Sequence, residues 1–208
     1  MKSPSVEGSG WDSNICSNPK ISVLMPVYNA EKYIKQAIES ILKQTYTNFD
    51  LIICYDESSD RSLKIIDEFK TKDARILISY GKRRGLVGAL NDGIKLSRGQ
   101  YIARMDADDI SVASRLEEQV RFMDANPNIG VCGTWIETFG EVKKRYVSFF
   151  PSSDNALKVR LLFSVPFAHP SVMIRKKVIL YKDTSEDFKS WYKNQVETMT
   201  DEQKKYKL

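Results

Sequence analysis

Histidine is all but missing from this chain of 208 residues, which has one, His169, and cysteine is scarce, at Cys16, Cys54 and Cys132. These thiols are too far apart for a zinc knuckle or a Cys-x-x-Cys redox pair. An odd number without a framework reads as reduced thiols in a cytoplasmic setting. Long apolar runs are absent as well, since nothing approaches the roughly 18 residues of a membrane span. The first stretch is rich in Ser, Gly and Asn and has no apolar core, which speaks against a secretory signal; residues 1–18 are expected to be a flexible leader. There is no internal repeat. There is also no basic stripe interleaved with aromatics of the kind that binds nucleic acid.

What is present is an ordinary globular composition, 42% hydrophobic and 28% charged, enough for one domain with a full core and short for two. That single domain is expected over 19–192, followed by a Lys-, Glu- and Gln-rich tail over 193–208. The net charge of +5 and pI near 9.0 favour an anionic partner. A phosphate-bearing small molecule and a peripheral membrane contact both qualify, and a plain surplus of solubilising lysines gives the same number.

Ile21-Ser22-Val23-Leu24-Met25 is a short apolar run stopped by Pro26, as expected of a buried strand. Tyr33, Ile34, Ala37, Ile38, Ile41 and Leu42 follow at helical spacing. A second strand over Phe49–Tyr55 ends at Asp56, and Ser59 or Asp60 can cap the next helix, which carries Leu63, Ile65, Ile66 and Phe69. The rhythm continues with a strand at Arg75–Tyr80, a helix near Gly85–Leu96, a strand at Gln100–Met105 and a helix from about Ala113 to Ala125. Strands separated by helical crossovers pair in parallel, so the first half is an α/β open sheet, mostly parallel, with helices on both faces. After Asn128 the rhythm changes: strands are expected at Val131–Ile136, Val142–Phe150 and Ser171–Ile174, with a helix at Asn155–Phe163.

Open α/β sheets bind ligands beyond the carboxyl ends of their strands. Three strands carry polar residues there: Tyr28-Asn29 after the first, Asp56 after the second, and Asp106-Ala107-Asp108-Asp109 after the Gln100 strand. In extended backbone Asp106 and Asp108 project to one side. Carboxylates so close repel one another unless a cation neutralises them, and Mg²⁺ or Mn²⁺ suits oxygen ligands and leaves room for phosphate oxygens. The competing reading is an acidic turn in which one Asp, Asp109 above all, caps the next helix. Arg83 and Arg84 precede Gly85, and either, Arg84 as the candidate, could offset the charge of a bound phosphate.

Over roughly Lys20–Lys176 the sequence resembles family-2 glycosyltransferases of the GT-A fold. The resemblance rests on Ser22-Val23-Leu24-Met25-Pro26-Val27-Tyr28-Asn29-Ala30, on Ile41-Leu42-Lys43-Gln44-Thr45-Tyr46, and on Gly85-Leu86, Asn91-Asp92-Gly93-Ile94, Gly99-Gln100-Tyr101-Ile102 and Met105-Asp106-Ala107-Asp108-Asp109 in order. It implies a nucleotide-binding half over about 19–110 and an acceptor half over about 111–192. Pro26 and Tyr28 would border the base, Asp56 would hydrogen-bond it (commonly a uracil imide), Asp106 would lie near the ribose or the metal shell, and Asp108 would be the principal metal ligand. Tyr28 also admits a reading as a packed aromatic at a strand end. One departure sits in the base-binding turn: the family's Asp-Asp-Gly-Ser-Thr-Asp is Tyr55-Asp56-Glu57-Ser58-Ser59-Asp60 here, which leaves the nucleotide open.

In the second half His169 precedes Pro170-Ser171 and Met173-Ile174-Arg175-Lys176, as a similar His-x-Ser segment does in the family, and could touch the metal, a phosphate or the acceptor. Ser185-Glu186-Asp187-Phe188-Lys189-Ser190-Trp191 is similar to the segment whose Asp is the family's catalytic base, although Lys177–Thr184 is too short for the stretch that normally precedes it. The resemblance implies a metal-dependent, inverting transfer of sugar from a nucleoside-diphosphate sugar to a hydroxyl on a glycan, lipid or protein, with Asp187 as base. The alternatives are a nucleotide-sugar-binding pseudo-enzyme and a sugar nucleotidyltransferase. This sequence lacks the glycine-rich, Arg/Lys-bearing loop after the first strand that the second would need.

Overall fold

In the first strand, β1 (Ile21–Val27), nearly every residue is buried, which is what a continuous apolar run covered on both faces requires. The computed structural model describes residues 18–82, 85–140, 144–161 and 164–179. Most of the expected leader, the polar tail, Cys16, Arg83, Arg84 and Asp187 with its surrounding segment lie outside the described residues. Next to β1 run β2 (Phe49–Asp56) and β4 (Tyr101–Arg104), and β3 (Ile76–Gly81) pairs with β2, all in parallel. Beyond β4 come β8 (Met173–Arg175), antiparallel to β4, and β5 (Val131–Cys132), antiparallel to β8. The six-stranded sheet thus has the order β3-β2-β1-β4-β8-β5.

Pro26 does not stop β1 as the sequence suggested; it sits inside the strand, opposite Cys54. A proline fits there because its missing N–H removes no ladder bond. The Leu24 carbonyl faces β4 and accepts from Met105 N, residues two apart face the same way, and the β1–β4 ladder has already ended at Leu24 and Arg104.

The alternation of side chains along β1 and β2 divides the helices. Val23, Met25, Leu51 and Ile53 join one core cluster with Ile34, Ala37, Ile38 and Ile41 of α1 (Ile34–Leu42), Ile66 of α2 (Ser62–Lys70) and Leu116, Val120 and Met123 of α4 (Arg115–Ala125). On the opposite face lies α3 (Gly85–Leu96), across β1, β2 and β3. A Cβ on Gly93 of α3 would stand 2.4 Å from the Cys54 thiol sulfur, so that position admits no side chain without a shift. The α3–β4 turn is as tight: a Cβ on Gly99 would meet the Ile21–Ser22 backbone at 2.5 Å, and Ser22 Oγ accepts from both the Arg98 and Gly99 amides.

The remaining elements bury less. The expected strand over 131–136 is divided: β5 joins the main sheet, whereas β6 (Ile136–Thr138) pairs with β7 (Tyr146–Ser148) in a separate hairpin. There Trp135 and Phe149 meet edge to face at 4.8 Å, and α5 (Asp154–Leu161) has no buried residue. The strand expected at Ser171–Ile174 begins as a single 3₁₀ turn, His169–Ser171, which delivers the chain to β8.

Candidate active site

The carboxyl ends of β1, β2 and β4 open onto one cavity of about 660 Å³, whose wall includes Pro26, Tyr28, Asp56, Arg104, Asp106 and Asp108. These ends meet because the three strands are neighbours in parallel. Tyr28 is 62% exposed at the cavity, so it is not a packed aromatic of the core. Asp56 is buried, and its Oδ2 accepts the Gly85 amide at 2.9 Å, tying this carboxylate to the start of α3.

The loop after β1 is latched to the loop after β2. Asn29 takes the left-handed conformation (φ 47°); its amide donates to Ser58 Oγ, and its Oδ1 accepts from Ser59 N at 2.9 Å. Ser62 Oγ accepts the Ala30 amide, Asp60 Oδ2 accepts the Glu31 amide, and Glu31 Oε2 accepts the Arg61 amide. Asp60 Oδ1 also accepts Ser62 N at the first residue of α2, but the N-cap position of that helix is Arg61, not the expected Ser59 or Asp60. Glu57, standing where the family has glycine, needs no left-handed backbone: among the described non-glycine residues only Asn29 has a positive φ. The conformational demand in this pair of loops falls on Asn29, which tolerates it.

Residues 106–109 are not extended. Asp109 N bonds back to the Asp106 carbonyl, and this turn still leaves both Asp106 and Asp108 on the cavity wall. Asp109 does not cap the next helix either: α4 begins at Arg115 with Ser114 at its N-cap. Asp109 faces the other two carboxylates instead, and its pKa is pushed up to about 6 by burial, then by Asp106 and Asp108, against the pull of Arg104 and Arg115. Asp106 is raised too, chiefly by burial; Arg104, donating from Nη2 to Asp106 Oδ1 at 2.8 Å, holds it down, as does the charge of the exposed His169.

Two residues that sequence reasoning missed hold this turn. Buried Arg115 donates to the Arg104 carbonyl at 2.7 Å and to Gln119 Oε1 at 3.1 Å, and burial brings its pKa down to about 10. Gln119 in turn donates to the Ser171 carbonyl, so α4 ties the end of β4 to the turn carrying His169. Gln44 and Thr45, quoted above only as a family segment, also act here. Gln44 Nε2 donates to the Val112 carbonyl at 2.8 Å and its Oε1 accepts Leu116 N, while Thr45 N donates to the Ala113 carbonyl. A Gln after an apolar helix followed by a Thr was the available signal.

Among the described residues no three His, Cys, Asp or Glu side chains are arranged to hold a metal ion between them. A Mg²⁺-type centre needs no such cage, since it takes one or two carboxylates, keeps waters and uses the substrate's phosphates. Asp106 and Asp108 offer hard oxygens on one wall, and Asp109, raised first by burial and then by those two carboxylates, stands with them. These residues fit a divalent cation that arrives with a diphosphate.

A four-stranded parallel core with helices on both faces, ending in a carboxylate-lined cleft, is the layout of GT-A transferases. The chain belongs to glycosyl transferase family 2, whose model matches residues 22–183. It is 36% identical over 162 residues to the putative glycosyltransferase EpsE of Bacillus subtilis, a match taking in 76% of this chain and 57% of that protein. It is 43% identical over 107 residues to Escherichia coli WfgD, a UDP-Glc:alpha-D-GlcNAc-diphosphoundecaprenol beta-1,3-glucosyltransferase, covering 51% of this chain and 42% of that protein. The GT-A fold is shared with S. aureus TarS 1-349 in complex with UDP-GlcNAc (TM-score 0.60, 23% identity, 76% of this chain and 45% of that one). It is shared also with the mannosyltransferase PcManGT of Pyrobaculum calidifontis in complex with GDP-Man and Mn²⁺ (TM-score 0.59, 18% identity, 78% of this chain and 46% of that one). The chain thus spans little more than half the length of the curated relatives it matches first, 57% in the case of EpsE.

Proposed function

We propose that this chain binds a nucleoside-diphosphate sugar, UDP-linked, and transfers the sugar with inversion to a hydroxyl acceptor. The observation that carries the reading is the convergence of Tyr28, Asp56, Asp106 and Asp108 from three strand ends on one cavity. Pro26 and Tyr28 border the base and Asp56 accepts its imide N–H, while the latch through Asn29 fixes the spacing of these two loops. Asp106 meets the ribose. Asp108 is the principal ligand for Mn²⁺ or Mg²⁺, and His169, which is not among the residues of the cavity wall but whose charge reaches Asp106, is a further candidate ligand. The cation, when bound, stabilises negative charge on the leaving diphosphate. Arg84 offsets phosphate charge, and Asp187 takes the acceptor's proton as its oxygen attacks the anomeric carbon; both assignments rest on sequence alone. UDP is favoured over GDP by the donor in the WfgD name, the relative with the higher identity of the two given.

Isothermal titration with UDP and with GDP, each with and without Mn²⁺, tests the reading. UDP is expected to bind with Mn²⁺ and to weaken at least about tenfold without it, since a charge-charge contact worth about 1.4 kcal/mol is lost. Binding of neither nucleotide, or binding indifferent to the metal, removes the metal-diphosphate assignment.

A further inference from the structure

Arg104 is the one basic side chain among the described residues of the cavity wall. It is the last residue of β4, and its backbone is held on both sides: its amide donates to the Val172 carbonyl and its carbonyl accepts from Arg115. Its side chain is 14% exposed and makes the 2.8 Å ion pair with Asp106. Its Nε, however, is buried with no hydrogen-bond partner. An orphaned N–H on a buried guanidinium is costly, and such a group calls for an acceptor that the protein does not itself provide.

The same wall carries Asp56, Asp106 and Asp108, so an entering diphosphate meets carboxylates of its own sign. A divalent cation offsets part of that repulsion. A guanidinium stays charged at every working pH, and its planar fork matches phosphate oxygens in pairs. We propose that Arg104 is a diphosphate-binding residue of this cavity: it holds Asp106 while no donor is present and turns its guanidinium onto the diphosphate oxygens when the donor enters. The exchange gives the orphaned Nε–H an acceptor and leaves Asp106 free for the ribose or the metal shell. Only the side chain has to move, because the Arg104 backbone is pinned from both sides. The inference rests on the nucleotide-sugar reading of the cavity given above.

The test compares UDP with uridine, which lacks the phosphates, on wild type, Arg104→Gln and Arg104→Lys, with and without Mn²⁺. UDP is measured by titration calorimetry and uridine by ligand-observed NMR; for a guanine-binding wild type the pair is GDP and guanosine. Arg104→Gln is expected to weaken the diphosphate roughly ten- to a hundredfold, the loss of charge-assisted hydrogen bonds, and to leave the nucleoside within about twofold. Arg104→Lys, which keeps the charge but not the fork, should fall between. Equal weakening of both ligands, or no weakening of either, overturns the proposal, because a residue acting only through the fold, or through Asp106 at the ribose that both ligands carry, moves both alike. A loss of UDP affinity that appears only with Mn²⁺ and disappears without it overturns it too, because it places the effect on Asp106 and the metal. A wild type that binds neither ligand overturns the nucleotide-sugar reading itself, and this inference with it.

Discussion

Asp109 stands half-buried beside Asp106 and Asp108, with its pKa at about 6 against an ordinary 3.8. Between those values the folded protein binds a proton that the unfolded chain does not. Stability therefore falls as pH rises through this window, and the residue is a burden above it. In metal-free protein Asp109→Asn is expected to raise stability at pH 7.5 by about 1 kcal/mol, once screening of a partly solvated group is allowed for. The gain should shrink as pH falls through 6 and vanish when Mn²⁺ and nucleotide saturate the site. Urea unfolding in EDTA across pH 5 to 8 reads this directly, and a gain that stays constant with pH would contradict it. Asp106 and Asp108 were legible in the sequence because their spacing is a pattern. The part played by Asp109 was not, since capping depends on where the helix begins and α4 begins at Arg115. Arg104 and Arg115 were illegible for a related reason: an arginine's meaning lies in the carbonyl or carboxylate it reaches, and that partner is fixed only by the sheet.

At the scale of elements, the alternation of apolar runs with 3.6-residue periodicity marked the order and kind of β1 through α4, though β1 runs on through Pro26 to Val27. It could do so because both faces of the sheet are covered and each helix buries one stripe. Behind Asn128 the strands are three residues long or fewer and, β8 apart, exposed or half-buried, so periodicity had too little to work with. The family segments turn out to be devices that join elements. Gly93 lets α3 lie on Cys54, Gly99 lets its turn touch β1, and Gln44 clamps the chain between the acidic turn and α4. Gln44→Ala strips hydrogen bonds from the Val112 carbonyl and the Leu116 amide, the latter bond buried. The expected cost is about 2–4 kcal/mol from unsatisfied polar groups, read as a lower urea midpoint with an unchanged m-value. Donor affinity should fall too, because the clamp sits on the segment that follows Asp109. Full stability in this variant would mean that water replaces the clamp.

Across the whole molecule, the groups proposed for transfer are divided unevenly among the described residues. The parallel strands and their loops hold every group proposed for the nucleotide except Arg84, in a cavity fixed by latches at Asn29, Gln44 and Arg115. The half proposed for the acceptor offers, among the described residues, a hairpin with an exposed Trp135–Phe149 pair and a helix that buries nothing, while the proposed base lies outside the described residues. No helix among the described residues is long and apolar enough to cross a membrane. Binding and chemistry should therefore separate experimentally. With water as acceptor, the wild type is expected to release nucleoside diphosphate slowly from its donor. Asp187→Asn should lower that rate by about 10²–10⁴-fold, the usual contribution of a positioned base, while UDP affinity stays within about twofold. A fall in rate and affinity together would place Asp187 in donor binding. Equal rates in the two proteins would leave the chain a binder of nucleotide sugars whose base is some other group, because the cavity at the strand ends can hold a donor whatever becomes of Asp187.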